Sequence, residues 1–253
     1  METLDSIKIR DLEVQVYQSK SGYRFSLDAL LLADFPELKK CTRILELGAG
    51  SGVVSLLLAK RYPHAKVTGI EIQDSLYGRA VRNAELNGLA DRVVFLHDDL
   101  KHVGKLFEPE SFELVVSNPP FRKPGTGRIS PGDERAAARH ELTAGMRDIL
   151  KAASAMLKNK GRLCLVYHPE RLPELFIQMN NHGFYPKRLR TIHSYAGDRA
   201  RMALIEAVKN GSPGLKVLAP LTVYSSERTY SPEMREFYGF PDIGPTRGYG
   251  PYK

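Results

Sequence analysis

The stretch RILELGAGSG, residues 43–52, decides the fold. Its first five residues are mostly apolar and read as a buried strand. Gly48, Gly50 and Gly52 then fall at alternate positions. Glycine there lets the backbone turn tightly and lets a ligand approach it closely. The next ten residues, VVSLLLAKRY (53–62), read as a helix. A strand, a glycine turn and a helix start together describe a nucleotide-binding corner.

The same rhythm continues downstream. KVTGIE (66–71), RVVFLH (92–97), FELVVS (112–117) and RLCLVY (162–167) read as further strands. DSLYGRAVRNAELNGL (74–89) and the long run 139–161, stopped by Gly161, read as the helices between them. Such alternation implies an α/β fold with a parallel sheet covered on both faces. KRLRTIH (187–193) and RMALIEAVK (201–209) are separated by too few residues for a crossover helix, so they should pair antiparallel. Upstream, Ile7, Ile9, Val14 and Val16 suggest two short strands around Arg10-Asp11, and 25–35 a helix with Ser26 as its cap. Residues 122–138 and 210–253, rich in Gly, Pro and Arg, read as an irregular loop and an irregular tail.

Composition narrows the partners. The net charge is +8 and 42% of residues are hydrophobic. A basic excess suits a polyanion such as RNA. Cys41 and Cys164 are the only cysteines, which excludes a disulfide framework and a zinc site. The histidines show no metal spacing, and no Gly-x-x-x-x-Gly-Lys-Ser/Thr phosphate loop occurs. The start has no run suited to a signal peptide, and no stretch approaches a membrane span; a cytoplasmic protein is expected.

Two nucleotide classes compete for the glycine corner. The dinucleotide fingerprint needs a third glycine where this chain has Val53. Dinucleotide sites also set a pyrophosphate on the helix start. Glu46 would repel that group and favour a cation, such as an amino group or a sulfonium. Glu71 ends the second strand, where a carboxylate can accept from both hydroxyls of an unphosphorylated ribose. After the third strand comes Asp98-Asp99, of which Asp99 is favoured as acceptor for an adenine amine. Three acids at the C-terminal edge of a parallel sheet, where such folds bind ligands, point to S-adenosylmethionine.

Asn118-Pro119-Pro120-Phe121 is the most specific signal. It follows the fourth strand directly. A Pro-Pro pair fixes two φ angles and removes two donors, which leaves carbonyls as acceptors. The Asn118 oxygen adds another acceptor, and Phe121 an aromatic face. An aromatic amine needs that set, because its lone pair is delocalised. Acceptors on its protons would localise the pair, and the ring would aim it. Arg122, Lys123 and Arg128 follow, where RNA phosphates would arrive. In the tail, Arg228, Tyr230, Arg235, Tyr238, Arg247 and Tyr249 alternate cations with rings, a single-strand binding pattern.

Over roughly residues 40–210 the chain resembles the class I methyltransferases. That resemblance implies a Rossmann-like, seven-stranded, mostly parallel sheet with helices on both faces and a last strand pair that is antiparallel. Asn-Pro-Pro-aromatic resembles the motif of the amino-methyltransferases, which modify adenine N6, guanine N2 or a glutamine amide. With SGYRFSLDALLLA (21–33), it looks like the bacterial tRNA1(Val) adenine-37 N6-methyltransferase family. The resemblance implies an enzyme acting on tRNA, with the 21–33 segment closing over the methionine end of the cofactor and Asp28 a contact; from the cysteine and histidine spacing no metal is expected. The chain as a whole reads as an N-terminal extension (1–41), a methyltransferase domain (42–210) and an irregular tail (211–253), the tail lying outside the resemblance. A release-factor glutamine methyltransferase and an rRNA guanine-N2 methyltransferase stay open as alternatives.

Overall fold

The computed structural model describes residues 2–19, 25–119, 145–227 and 229–240. Pro120, Phe121, Arg122, Lys123, Arg128 and the start of the helix expected at 139 lie outside them, as do Arg228, Arg247 and Tyr249.

The expected N-terminal strands form a hairpin, β1 (Glu2–Ile9) and β2 (Leu12–Ser19), turning at Arg10-Asp11 with Ile9 opposite Leu12. Helix α1 (Leu27–Asp34) follows. Ser26 sits at its N-cap position in extended backbone, but its hydroxyl caps nothing and pairs with Asp28 instead. The sheet then begins with β3 (Arg43–Leu47), α2 (Val53–Arg61), β4 (Lys66–Glu71), α3 (Asp74–Leu86), β5 (Val93–His97), a short α4 (Val103–Leu106) and β6 (Phe112–Ser117). Next come α5 (Met146–Met156), β7 (Leu157–Tyr167), α6 (Leu172–Asn181), β8 (Phe184–His193) and β9 (Ala200–Lys209).

Seven strands lie in the order β8-β9-β7-β6-β3-β4-β5. Neighbours among β7, β6, β3, β4 and β5 are parallel, while β9 runs antiparallel to both β7 and β8. This is the class I methyltransferase sheet. Alternate residues of each strand feed two cores. Ile44, Leu114, Val116 and Val166 pack on the face of α1 to α3. Leu45, Leu47, Val115 and Leu165 pack on the face of α5 and α6. Each leucine buried this fully contributes roughly 1.5–3 kcal/mol.

Two expectations need correction, and one helix was not expected at all. The long helix ends at Met156, not at Gly161, because β7 starts at Leu157. Leu157 is needed opposite Phe112, and a bulge with Lys160 at φ 63° absorbs the extra residues. Helix α6 carries Leu175 and Met179 into the core on a weak apolar pattern that the sequence reading passed over. Finally, the tail is not wholly irregular. β10 (Lys216–Val217) and β11 (Leu221–Thr222) add parallel to β8. β12 (Tyr224–Ser226) and β13 (Thr229–Tyr230) pair, and α7 (Pro232–Tyr238) packs back on β1 and β11. Short strands give too little periodicity to be read, but Ser231 caps α7, accepting from the Met234 N–H, and Pro232 opens it.

The hairpin is tied to the sheet by an unusual pairing. The Asn83 carboxamide accepts from the Tyr17 N–H at 2.7 Å and donates to its carbonyl at 3.4 Å. Asn87, one turn on, accepts from the Gln15 N–H at 2.9 Å and donates to its carbonyl at 2.7 Å. Asn83 of α3 and Asn87 at its C-cap thus satisfy the open edge of β2 as a neighbouring strand would.

Candidate active site

Strand β3 delivers the chain to the glycine corner in the sheet's middle. Gly48, Gly50 and Gly52 hold φ of 77°, 57° and 85°, all in the left-handed region. The N–H groups of Gly48 and Ala49 both donate to the Ile70 carbonyl, each at 2.9 Å. Gly52 has a second reason to lack a side chain: a Cβ there would lie 2.6 Å from the Phe95 ring. A Cβ on Gly48 would meet nothing within 4 Å, so open space lies above it.

Glu71 closes this corner. It is buried at the end of β4, with Oε2 accepting from the Gly50 N–H at 2.7 Å and Oε1 from the Gln73 N–H at 2.9 Å. Burial raises its pKa, and those backbone bonds and nearby His97 oppose the rise. A carboxylate with both oxygens fixed still has lone pairs for hydroxyl donors.

Glu46 is also buried, and it does something the sequence reading did not foresee. Its Oε2 accepts from the Ser55 N–H at 2.9 Å and the Ser55 hydroxyl at 2.5 Å. Gly52, the N-cap of α2, has no side chain to cap with, so Glu46 satisfies the helix from the strand. Burial pushes its pKa up to about 8, with Glu71 adding to the rise and the Ser55 bonds opposing it. The carboxyl is therefore poised, and a positive group beside it would favour ionisation.

The two aspartates after β5 are differently engaged. Asp98 accepts from the Asp99 N–H, and the His102 ring lies 2.7 Å away, which lowers its pKa. Asp99 accepts from the Lys101 N–H at 2.9 Å. His97 stacks on Tyr77 at 5.2 Å, so both histidines have structural work here. Asp28 lies in the first turn of α1, where burial raises its pKa and Ser26 and nearby His168 oppose the rise. His168 follows the end of β7, so Asp28 sits over the same sheet edge.

Asn118 follows β6. The Ser117 hydroxyl donates to the Leu47 carbonyl at 2.7 Å, which pins the end of β6 to the start of the glycine corner. The Asn118 Oδ1 is buried and has no hydrogen-bond partner among the described residues. A buried, unsatisfied acceptor costs about 1–3 kcal/mol, and a donor from a bound molecule would relieve that. Pro119 is buried beside it.

Asn83 escaped sequence reading. Besides holding β2, its amide donates to the Ser51 carbonyl at 2.9 Å, inside the glycine corner. The available signal was a pair of asparagines four residues apart on a helix face that otherwise packs inward. Among the described residues no group of three or more His, Cys, Asp or Glu could hold a metal, and no helix is long and apolar enough to cross a membrane.

Residues 26–181 match the family model of the methyltransferase small domain. A tRNA1(Val) (adenine(37)-N6)-methyltransferase of Porphyromonas gingivalis is 32% identical over 164 residues, which span 64% of each chain. The enzyme of that name from Vibrio campbellii is 28% identical over 232 residues, 89% of this chain and 93% of the relative. Among solved structures, a predicted O-methyltransferase from Agrobacterium tumefaciens superposes with a TM-score of 0.68 at 25% identity, over 84% of this chain and 96% of that one. A Thermus thermophilus 16S rRNA N2 G1207 methyltransferase, in complex with AdoMet and guanosine, shares the fold with a TM-score of 0.58 at 23% identity, over 83% and 51%.

Proposed function

The chain belongs to the methyltransferase small-domain family, and on that premise we propose that it moves a methyl group from S-adenosylmethionine to the N6 amine of an adenine in tRNA, beside the anticodon. The observation that carries this reading is the buried, unpartnered Asn118 oxygen, held next to the glycine corner.

The residues present fit the cofactor. Glu71 takes the ribose hydroxyls, and Asp99 the adenine amine. The glycines let the backbone approach, with open space above Gly48. Glu46, raised to about 8, lies where a cation would draw off its proton. Asp28 contacts the methionine end. When bound, the cofactor supplies an electrophilic methyl on a positive sulfur.

Asn118 accepts a proton of the target amine, and the Pro119 carbonyl can take the other. That localises the nitrogen lone pair toward the incoming carbon. Pro120 stiffens the turn, and Phe121 stacks on the base. Because the attacking group is neutral, orientation and electrostatics carry the rate, and the proton lost after transfer goes to water. Arg122, Lys123 and Arg128 hold phosphates.

Relatives named as adenine-N6 enzymes on tRNA support the substrate, as does the +8 charge. So does the cost of opening a duplex: a base in a loop needs less unstacking than a paired one. Such an enzyme works in the cytoplasm. The test is incubation with labelled S-adenosylmethionine and bulk tRNA, rRNA or total protein, followed by nucleoside mass spectrometry. N6-methyladenosine mapped next to an anticodon is expected. Methylguanosine in rRNA, or label in protein alone, overturns the substrate.

A further inference from the structure

We propose that a ring-and-arginine surface at the end of β8 and the start of β9, built around Tyr195, Tyr224, Arg199 and Arg201, stacks and anchors unpaired RNA flanking the target base. It rests on the RNA reading above.

The topology places this surface. β9 is antiparallel to β7 and β8, so β8 runs parallel to β7, and its His193 end lies on the sheet edge that carries Asn118. Three strand steps separate β6 from β8, about 14 Å. The route from Asn118 passes the end of β7 and the start of β9, away from Glu71 and Asp99.

The loop there has a fixed shape. The Asp198 N–H donates to the Tyr195 carbonyl at 3.2 Å, and the Tyr195 N–H donates to the Asp198 carboxylate at 3.3 Å. The His193 ring bonds the Asp198 carbonyl at 2.8 Å. The tail extends along it: the Val223 and Tyr224 N–H groups donate to the carbonyls of His193 and Ser194 at 2.8 and 2.9 Å. Tyr195, 37% exposed, lies 5.6 Å from Tyr224, which stacks on Tyr230 at 5.4 Å and 11°. The inner rings pack toward the core, and the Tyr195 end of the row faces solvent. An exposed ring backed by others is a rigid stacking platform for bases.

The charges distinguish this loop from the rest of β8. Arg188 is paired with Glu37 and Glu206, and Arg190 with Glu233. Arg199 and Arg201 are exposed, and neither makes an ion pair among the described residues. Asp198 is the acid nearest in sequence, and it is bound to the Tyr195 N–H. Unneutralised arginines beside an exposed ring match the backbone and bases of a single strand.

The test uses the full chain with an in vitro transcript of the tRNA, titrated at several salt concentrations. Tyr195→Ala should weaken binding about 5- to 150-fold, and Tyr195→Phe should restore it, since the ring stacks and the hydroxyl does not. Arg199→Gln with Arg201→Gln should flatten the slope of log affinity against log salt by about 0.7 per arginine removed. Binding of S-adenosylhomocysteine and the melting temperature should not move. Wild-type affinity and slope in these variants, with tRNA still methylated by the parent, overturn the surface alone. A parent that binds no RNA and methylates only protein overturns the surface together with the substrate.

Discussion

The C-terminal edge of the sheet is two different surfaces joined at β3 and β6. On the β3-β4-β5 half, the acids already have partners: Glu46 holds Ser55, Glu71 holds Gly50 and Gln73, Asp98 meets His102, and Asp99 caps toward Lys101. On the β6-β7-β9-β8 half, the acceptor of Asn118 has no partner, and Arg199 and Arg201 have no counter-ion among the described residues. The first half is a frame whose acids are already held, and on the function proposed above it takes the cofactor with little rearrangement. On the same reading the second half is completed by the substrate. Preorganised groups cost nothing to arrange at the moment of reaction, whereas unsatisfied ones make binding selective for a molecule that satisfies them.

The sharpest way to break this contrast is Asn118→Ala. On the function proposed above it removes the acceptor for the target amine, so turnover should fall roughly 10²–10³-fold, as when one preorganised polar group is lost. Calorimetric affinity for S-adenosylhomocysteine should stay unchanged. A matching loss of cofactor affinity would mean the two halves are not separable at Asn118.

Glu71→Ala is the converse. Losing hydrogen bonds to a charged group costs about 1.5–3 kcal/mol, roughly a 10- to 150-fold loss of cofactor affinity. NAD should not bind to either protein. Glu71→Gln should keep one acceptor oxygen and lose less. Tight NAD binding by the parent, with no methyl-donor binding, would sink the cofactor assignment.

Legibility followed the same division. The β3-β4-β5 half was readable because its signals are local: RILEL runs into glycines whose φ demands are fixed by the turn, and Glu71 follows from where a strand ends. The antiparallel β8–β9 pair was readable from loop length. Glu46 shows what local reading leaves out. Besides the ligand role expected of it, its carboxylate caps α2 across nine residues, a link only the folded turn reveals. Asn83 and Asn87 could not be assigned because their partners, Tyr17 and Gln15, lie on a hairpin 66 and 72 residues away. The ring row of Tyr195, Tyr224 and Tyr230 joins a loop to the tail, so sequence showed its composition and not its shape.

Asn83→Leu sharpens the frame's own construction. It leaves the Tyr17 N–H and the Ser51 carbonyl without their partner, at a cost of about 1–3 kcal/mol. For a chain this long, that lowers the melting temperature by about 2–4 °C per kcal/mol, measurable by scanning calorimetry. Cofactor affinity should fall with it, because Ser51 belongs to the glycine corner. A stability loss with unchanged affinity would confine Asn83 to holding the hairpin.

The last test is a pH dependence centred on Glu46. Its pKa is about 8 in the folded protein against an ordinary 4.5, chiefly because burial disfavours the charge. Between those values the folded chain keeps a proton that the unfolded chain releases. Its contribution to stability is therefore complete below pH 4.5 and declines as pH rises toward 8. Glu46→Gln, which keeps an acceptor for Ser55 and cannot ionise, should flatten that part of the stability curve. A cation bound nearby favours the ionised carboxyl, so cofactor affinity should climb with pH up to about 8, by at most about tenfold per unit, and then level off. Isothermal titration from pH 6 to pH 9 in buffers of differing ionisation enthalpy reads the proton released on binding. Proton release that persists in Glu46→Gln would assign the titration to Glu71 or Asp28, and leave Glu46 as a cap alone.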